Sequence, residues 1–263
     1  MFERSDIASL GRAAEPASQF FKIRPYQSAA IQATEEALRQ GKREMLLAMA
    51  TGTGKTYLTV AQIYRLLKSG GFKRVLFLVD RRALAAQAVR EFASFATPGG
   101  YKFNQEYEVY SQQFRKEDFG EEEAFNPTIL PNDYLTSPQP SHTFVNVSTI
   151  QRMTVNLFGW QCSYEQDQSD PDYEENAEKM EIPNHAFDLI VADECHRGYT
   201  ASETAIWREV LEYFDAVKIG LTATPAPHSL SLFKEVVFRY TTDQAIEDGF
   251  LVDYEPNKLA LVC

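Results

Sequence analysis

Two short strings carry the residue types that nucleotide hydrolysis needs: Ala50-Thr51-Gly52-Thr53-Gly54-Lys55-Thr56 and, far downstream, Asp193-Glu194-Cys195-His196. Gly52 and Gly54 allow a backbone curl whose N–H groups face a β-phosphate, and Lys55 reaches the β- and γ-phosphates. Thr51 and Thr53 belong to the same loop, and the Thr56 hydroxyl is a ligand for Mg²⁺. At the second string, Asp193 holds the metal, through water because Mg²⁺ keeps several of its waters. Glu194 orients and deprotonates the attacking water, and His196 reads the γ-phosphate state unless it is a plain loop residue. The chemistry is phosphoryl transfer from ATP with Mg²⁺, in which positioning and charge stabilisation do most of the work, so Lys55, Asp193 and Glu194 are the candidate catalytic residues.

These residues need elements to hold them. Met45-Leu46-Leu47-Ala48-Met49 is a short apolar run, as a buried strand requires, and residues 55–68 carry apolar residues at helical spacing before a Gly70-Gly71 stop. Strand, glycine loop and helix in that order make an anion site. Met49 stands where the strict phosphate-loop pattern has its first glycine. The apolar run 187–192 ends at Asp193, and in a parallel sheet such a strand delivers its C-terminal residues to the ligand crevice. A third apolar run, 217–221, ends at Thr222-Ala223-Thr224-Pro225. Its two hydroxyls either couple the ATP site to another part of the machine or simply close a strand with a Thr-Pro turn.

The remaining periodicity predicts a helix over 26–39, strands over 44–48, 74–79 and 143–147, and helices over 82–95 and 202–214. Strands alternating with helices give one α/β domain, with a mainly parallel sheet and helices on both faces. Residues 1–19 read as a connector, 20–250 as the domain, and 251–263 as the start of a link leading out of it.

Taken together the strings resemble superfamily 2 helicases and translocases, most closely the restriction (motor) subunit of type I restriction enzymes. Arg24-Pro25-Tyr26-Gln27 resembles the segment in which a glutamine reads the adenine edge, which implicates Gln27 and Arg24. The stretch 75–87, with Arg81 and Arg82, is similar to a motif that contacts a strand backbone. Val147-Ser148-Thr149-Ile150-Gln151-Arg152 is similar to the next nucleic-acid-contacting segment and implicates Ser148, Thr149, Gln151 and Arg152. The string from Asp193 to Gly198 and the stretch 244–254 favour the restriction family over helicases at large. From the residues alone, the two adjacent arginines read as solvated; only the resemblance assigns them to DNA. It implies a RecA-like P-loop domain, double-stranded DNA as partner, and modification and specificity subunits. It also implies a second RecA-like domain elsewhere in a full-length chain, supplying an arginine finger, so that these residues would be a fragment and a poor ATPase alone.

A net charge of −11 sits oddly with DNA tracking. It is not spread evenly. Residues 104–141 hold eight acids against two bases, and 161–182 hold eight acids against Lys179, more than the whole net charge. Both segments are rich in Pro, Asn, Gln, Ser and Asp and read as acidic insertions made of loops rather than core strands. The three cysteines and four histidines show no metal-ligand or disulfide spacing, so a reducing cytoplasm is the expected setting. No apolar run approaches bilayer length, which predicts no membrane association. Two other readings stay open from the sequence: a strand-separating helicase, and a non-catalytic ATP-binding interaction module.

Overall fold

The computed structural model describes residues 23–112, 114, 127–159, 177–195 and 201–252. The expected connector over 1–19, most of the link beyond 251, and His196 lie outside them. In chain order the elements are α1 (Pro25–Arg39), β1 (Glu44–Met49), α2 (Lys55–Lys68), β2 (Arg74–Val79), α3 (Arg82–Ser94), α4 (Phe103–Glu106), β3 (Glu108–Ser111), β4 (Thr128–Ile129), α5 (Asn132–Thr136), β5 (Phe144–Thr149), α6 (Ile150–Phe158), β6 (Leu189–Ala192), α7 (Ala201–Tyr213), β7 (Val217–Thr222), α8 (Pro227–Phe233), β8 (Val236–Tyr240) and α9 (Thr242–Glu247).

The strands form one sheet in the order β4-β3-β5-β2-β6-β7-β1-β8. Every ladder between them is parallel. All strands therefore present their C-terminal ends at one edge. The central strands read as unbroken apolar runs because both faces are covered. Met45, Leu47 and Met49 of β1 and Val75, Phe77 and Val79 of β2 join a core with α1, α2 and α3. The alternate residues Leu46, Leu76 and Leu78 join a second core with α6, α7 and α8. The period of two along a strand divides one hydrophobic run between two helical layers.

Part of the first acidic segment departs from the loop reading. β3 and β4 extend the sheet, and Tyr110, Leu130 and Leu135 of this segment are buried in the second core. Acidic composition hid these anchors because Glu108 and Asp133 alternate with them. From the second segment, Ala177 and Ile182 are buried, and the Met180 N–H donates to the Asn156 carbonyl at 2.8 Å. Among the described residues no helix is long and apolar enough to cross a membrane.

Candidate functional site

Where β1 leaves the sheet, the chain turns through Gly52 at φ +81° and Gly54 at φ +72°. Glycine adopts this left-handed region without the Cβ clash other residues meet. Between them Thr53 is wholly buried, and its hydroxyl donates to the Ala50 carbonyl at 2.6 Å. Thr51, Gly52 and Gly54 stay exposed on the other side of the curl. Lys55 then opens α2, with Thr56 half-buried in the first turn. The first N–H groups of a helix have no partner within it, which makes this turn an anion cradle.

The second string arrives from β6. The Asp193 N–H donates to the Leu78 carbonyl at 2.8 Å, and the Cys195 N–H donates to the Leu221 carbonyl of β7 at 3.2 Å. Between these anchors Glu194 is forced to φ +51°, a conformation costing a non-glycine residue about 1–3 kcal/mol. Its carboxylate lies 3.3 Å from the Lys55 ammonium, with the two side chains only 17% and 7% exposed. β7 lies between β1 and β6, so the contact spans the C-terminal ends of three neighbouring strands. The Cys195 thiol donates to the Leu221 carbonyl, and burial, with Asp193 and Glu194 adding to it, pushes its pKa far up. It is a neutral packing group, buried just beyond the end of β6.

Gln27 is buried, and its side-chain amide is engaged by protein. Its Oε1 accepts from the Arg24 N–H at 2.9 Å, while Nε2 donates to the carbonyls of Thr53 at 3.1 Å and Gly54 at 3.2 Å. Arg24 is exposed, and its guanidinium stands 5.1 Å from the centre of the Phe250 ring. Thr222 is buried and closes a tight turn: its hydroxyl donates to the Thr224 carbonyl at 3.0 Å and accepts from the Thr224 N–H at 3.1 Å. Thr224 itself is exposed.

The residues assigned to nucleic acid divide. Arg81 is 61% exposed, with Asp80 at 3.5 Å. Arg82 is a correction: it is 4% exposed, so the two arginines do not share a surface. Ser148 and Thr149 are also buried. The Thr149 hydroxyl caps α6 by accepting from the Arg152 N–H, and the Ser148 hydroxyl donates to the Thr149 carbonyl. These two serve the strand-to-helix turn in this structure, while Gln151 and Arg152 beside them are half-buried. Sequence reasoning passed over Tyr26, Tyr240, Phe250 and Leu251, which pack around the phosphate loop. Tyr26 lies inside a motif that was singled out, yet its partner is Thr53, and no spacing marks the pair.

The donor set suits a magnesium nucleotide. A buried ammonium and left-handed glycines meet phosphate, and a hydroxyl and a buried carboxylate offer the hard oxygen atoms Mg²⁺ takes. At Gly54 a Cβ would stand 2.8 Å from Gln27 Nε2 and at Gly52 3.2 Å from Leu251 Cδ2, so larger residues would disturb the cradle's lining.

Residues 20–227 match the family model described as type III restriction enzyme, res subunit. The endonuclease subunit of the type I restriction enzyme EcoKI from Escherichia coli (strain K12) is 36% identical over 250 residues, covering 89% of this chain and 18% of that protein. The EcoAI endonuclease subunit from Escherichia coli is 36% identical over 242 residues, 88% of this chain and 23% of that one. The chain thus spans about a fifth of the length of these relatives. Among solved structures, the ATP-dependent Type ISP restriction-modification enzyme LlaBIII bound to DNA superposes with a TM-score of 0.59 at 22% identity, over 89% of this chain and 16% of that one. That likeness is one of fold.

Proposed function

The chain belongs to the type III restriction enzyme res subunit family and is the first RecA-like domain of a superfamily 2 restriction motor, and from that premise we propose that it binds and hydrolyses ATP to drive translocation along double-stranded DNA. The observation that carries the reading is the meeting of Lys55 and Glu194 at 3.3 Å, brought from separate strands to one sheet edge. A lysine that neutralises phosphate and a carboxylate that activates water serve one phosphoryl group only if both line the same site.

In this reading Gly52, Thr53, Gly54 and Lys55 hold the phosphates, with Thr51 at the loop's entrance, and Thr56 and Asp193 hold Mg²⁺. The metal, when bound, neutralises charge on the β- and γ-phosphates. Glu194 accepts the proton of the attacking water, and release from Lys55 frees its carboxylate to do so. Arg24 and Gln27 flank the nucleotide, while His196, Thr222 and Thr224 pass its state onward. Arg81, Gln151 and Arg152 meet the DNA backbone. A second RecA-like domain in the full-length chain supplies the arginine finger, a group that can add about 10³–10⁵ in rate. Modification and specificity subunits complete a type I restriction complex, in the cytoplasm.

The test is ATP hydrolysis by the native full-length protein with and without duplex DNA, paired with displacement of a third strand from a DNA triplex. Stimulation by duplex together with triplex displacement supports a translocase. Separation of the duplex strands would move the reading to a helicase. A Glu194→Gln change that leaves the function of the complete protein intact would move it to a binding module.

A further inference from the structure

We propose that Tyr26 is a positioning residue for phosphate binding, one that aims backbone N–H groups of the P-loop by pinning the carbonyl on the opposite side of a peptide plane. The inference rests on the ATP-binding reading above.

The Thr53 carbonyl accepts two hydrogen bonds, from the Tyr26 hydroxyl at 2.9 Å and from Gln27 Nε2 at 3.1 Å. The same Nε2 reaches the Gly54 carbonyl at 3.2 Å. In a planar trans peptide the C=O and the following N–H point in opposite directions. Fixing the carbonyls of Thr53 and Gly54 therefore directs the N–H groups of Gly54 and Lys55 away from Tyr26 and Gln27. Successive N–H groups converging around a left-handed glycine make an anion-binding concavity. The Gly54 carbonyl is also held by the Leu58 N–H at 3.1 Å, so it is the Thr53–Gly54 plane that would rotate without Tyr26 and Gln27 and spoil the concavity.

The hydroxyl is itself held. Arg24 Nη1 donates to the Tyr26 oxygen at 3.0 Å, which leaves the hydroxyl proton for Thr53. The Tyr26 ring stacks on Tyr240 with centroids 4.2 Å apart and planes 12° from parallel, and meets the Phe250 edge at 5.0 Å. Tyr240 is tied to the loop's root, because its carbonyl accepts from the Ala50 N–H at 3.0 Å. The platform under the P-loop thus ends in one fixed hydrogen-bond donor. Gln27 acquires a second task that does not depend on the base of the nucleotide.

The experiment measures binding of Mg·ATP and Mg·tripolyphosphate to the full chain by calorimetry, in the wild type and in Tyr26→Phe. The phenylalanine keeps the stack and removes the hydroxyl. The expected result is a loss of roughly five- to ten-fold in affinity, the size of one hydrogen bond, and equal for both ligands. A loss confined to ATP would assign Tyr26 to the base and overturn the proposal. So would a lowered melting temperature with unchanged tripolyphosphate affinity, which is the signature of a purely structural role. If Tyr26→Phe does not fold, Gln27→Leu is read with Mg·tripolyphosphate, which offers no base: a loss of similar size supports aiming of the loop through the Thr53 carbonyl, and an unchanged affinity overturns it. A wild-type chain that binds neither ligand would instead overturn the ATP-binding reading itself.

Discussion

The two edges of the parallel sheet are both lined with charge, and they use it in opposite ways. At the edge where strands begin, Arg43 meets Asp215 at 2.5 Å, Lys42 meets Glu235 at 2.8 Å and Arg74 meets Asp188 at 2.6 Å. There Glu44 lies between Lys234 and Lys218. Burial lowers the Lys218 pKa, with Glu44 working against it. These charges satisfy one another across neighbouring strands, with Lys234, at φ +58°, the one named member on positive-φ backbone. At the edge where strands end, Lys55 and Glu194 stand 3.3 Å apart, with the lysine only 7% exposed. Around them Gly52, Gly54 and Glu194 all have positive φ. A fold selecting only for stability would not bury an ammonium beside strained backbone. The first edge is a belt, and the second gathers a buried ammonium and strained backbone at one place, as the proposed nucleotide site needs.

The largest effect expected from that contrast is at Lys55. Lys55→Ala should lower the DNA-stimulated ATP hydrolysis of the native protein by about 10²–10³-fold, as removal of one transition-state charge donor does elsewhere. Its melting temperature should move little. Steady-state hydrolysis and thermal unfolding, measured on the same preparation, check both halves. A retained rate with a large drop in stability would make Lys55–Glu194 one more structural pair and erase the contrast.

Asp188 tests the belt in the opposite sense. Its Oδ2 accepts the N–H groups of Lys73 at 3.1 Å and Arg74 at 3.0 Å, and its Oδ1 takes Arg74 Nη2 at 2.6 Å. Asp188→Ala strands a guanidinium that is only 12% exposed and unties the starts of β2 and β6. The expected cost is about 2–3 kcal/mol of unfolding free energy, the range for lost bonds to charged groups. The affinity for Mg·ATP should be unchanged. Chemical denaturation and nucleotide titration read the two quantities, and a loss of affinity as large as the loss of stability would mean the edges are not independent.

The contrast also explains what the sequence made legible. The central strands and the helices α1, α2, α3 and α7 stood out because long apolar runs and helical spacing are local signals. The order in which Lys55, Thr56, Asp193 and Glu194 occur was legible for the same reason, each string being contiguous. Relations between strings were not. Nothing in Arg81-Arg82 says that the second guanidinium is buried, because that depends on how α3 settles on the sheet. Ser148 and Thr149 looked available for DNA, yet they end a central strand whose every residue is covered. The strand β3, next to the sheet's outermost strand, was hidden by its acidic neighbours, and Tyr26 by the distance in sequence to Thr53. Resemblance assigned Gln27 to adenine, while its hydrogen bonds run to the loop beneath the phosphates.

The smallest effect lies in an exposed part of the belt. Arg43 and Asp215 are 44% and 43% exposed, so their pair is screened and contributes under about 1 kcal/mol near neutral pH. The hydrogen bond from Arg43, with its charge in support, still holds the Asp215 carboxyl below the usual aspartate range. A carboxyl depressed on folding stabilises the native state above its unfolded pKa, about 3.9, and the contribution fades as pH falls through the lower folded value. Arg43→Gln should therefore unfold slightly more easily than the wild type at pH 6–7, and the gap should close as pH drops below about 4. Urea midpoints taken across that range read the difference directly. A gap that instead widened in acid would mean the arginine stabilises the fold by a route other than Asp215. A gap as large as the one expected at Asp188 would mean exposure is not what separates strong from weak members of the belt.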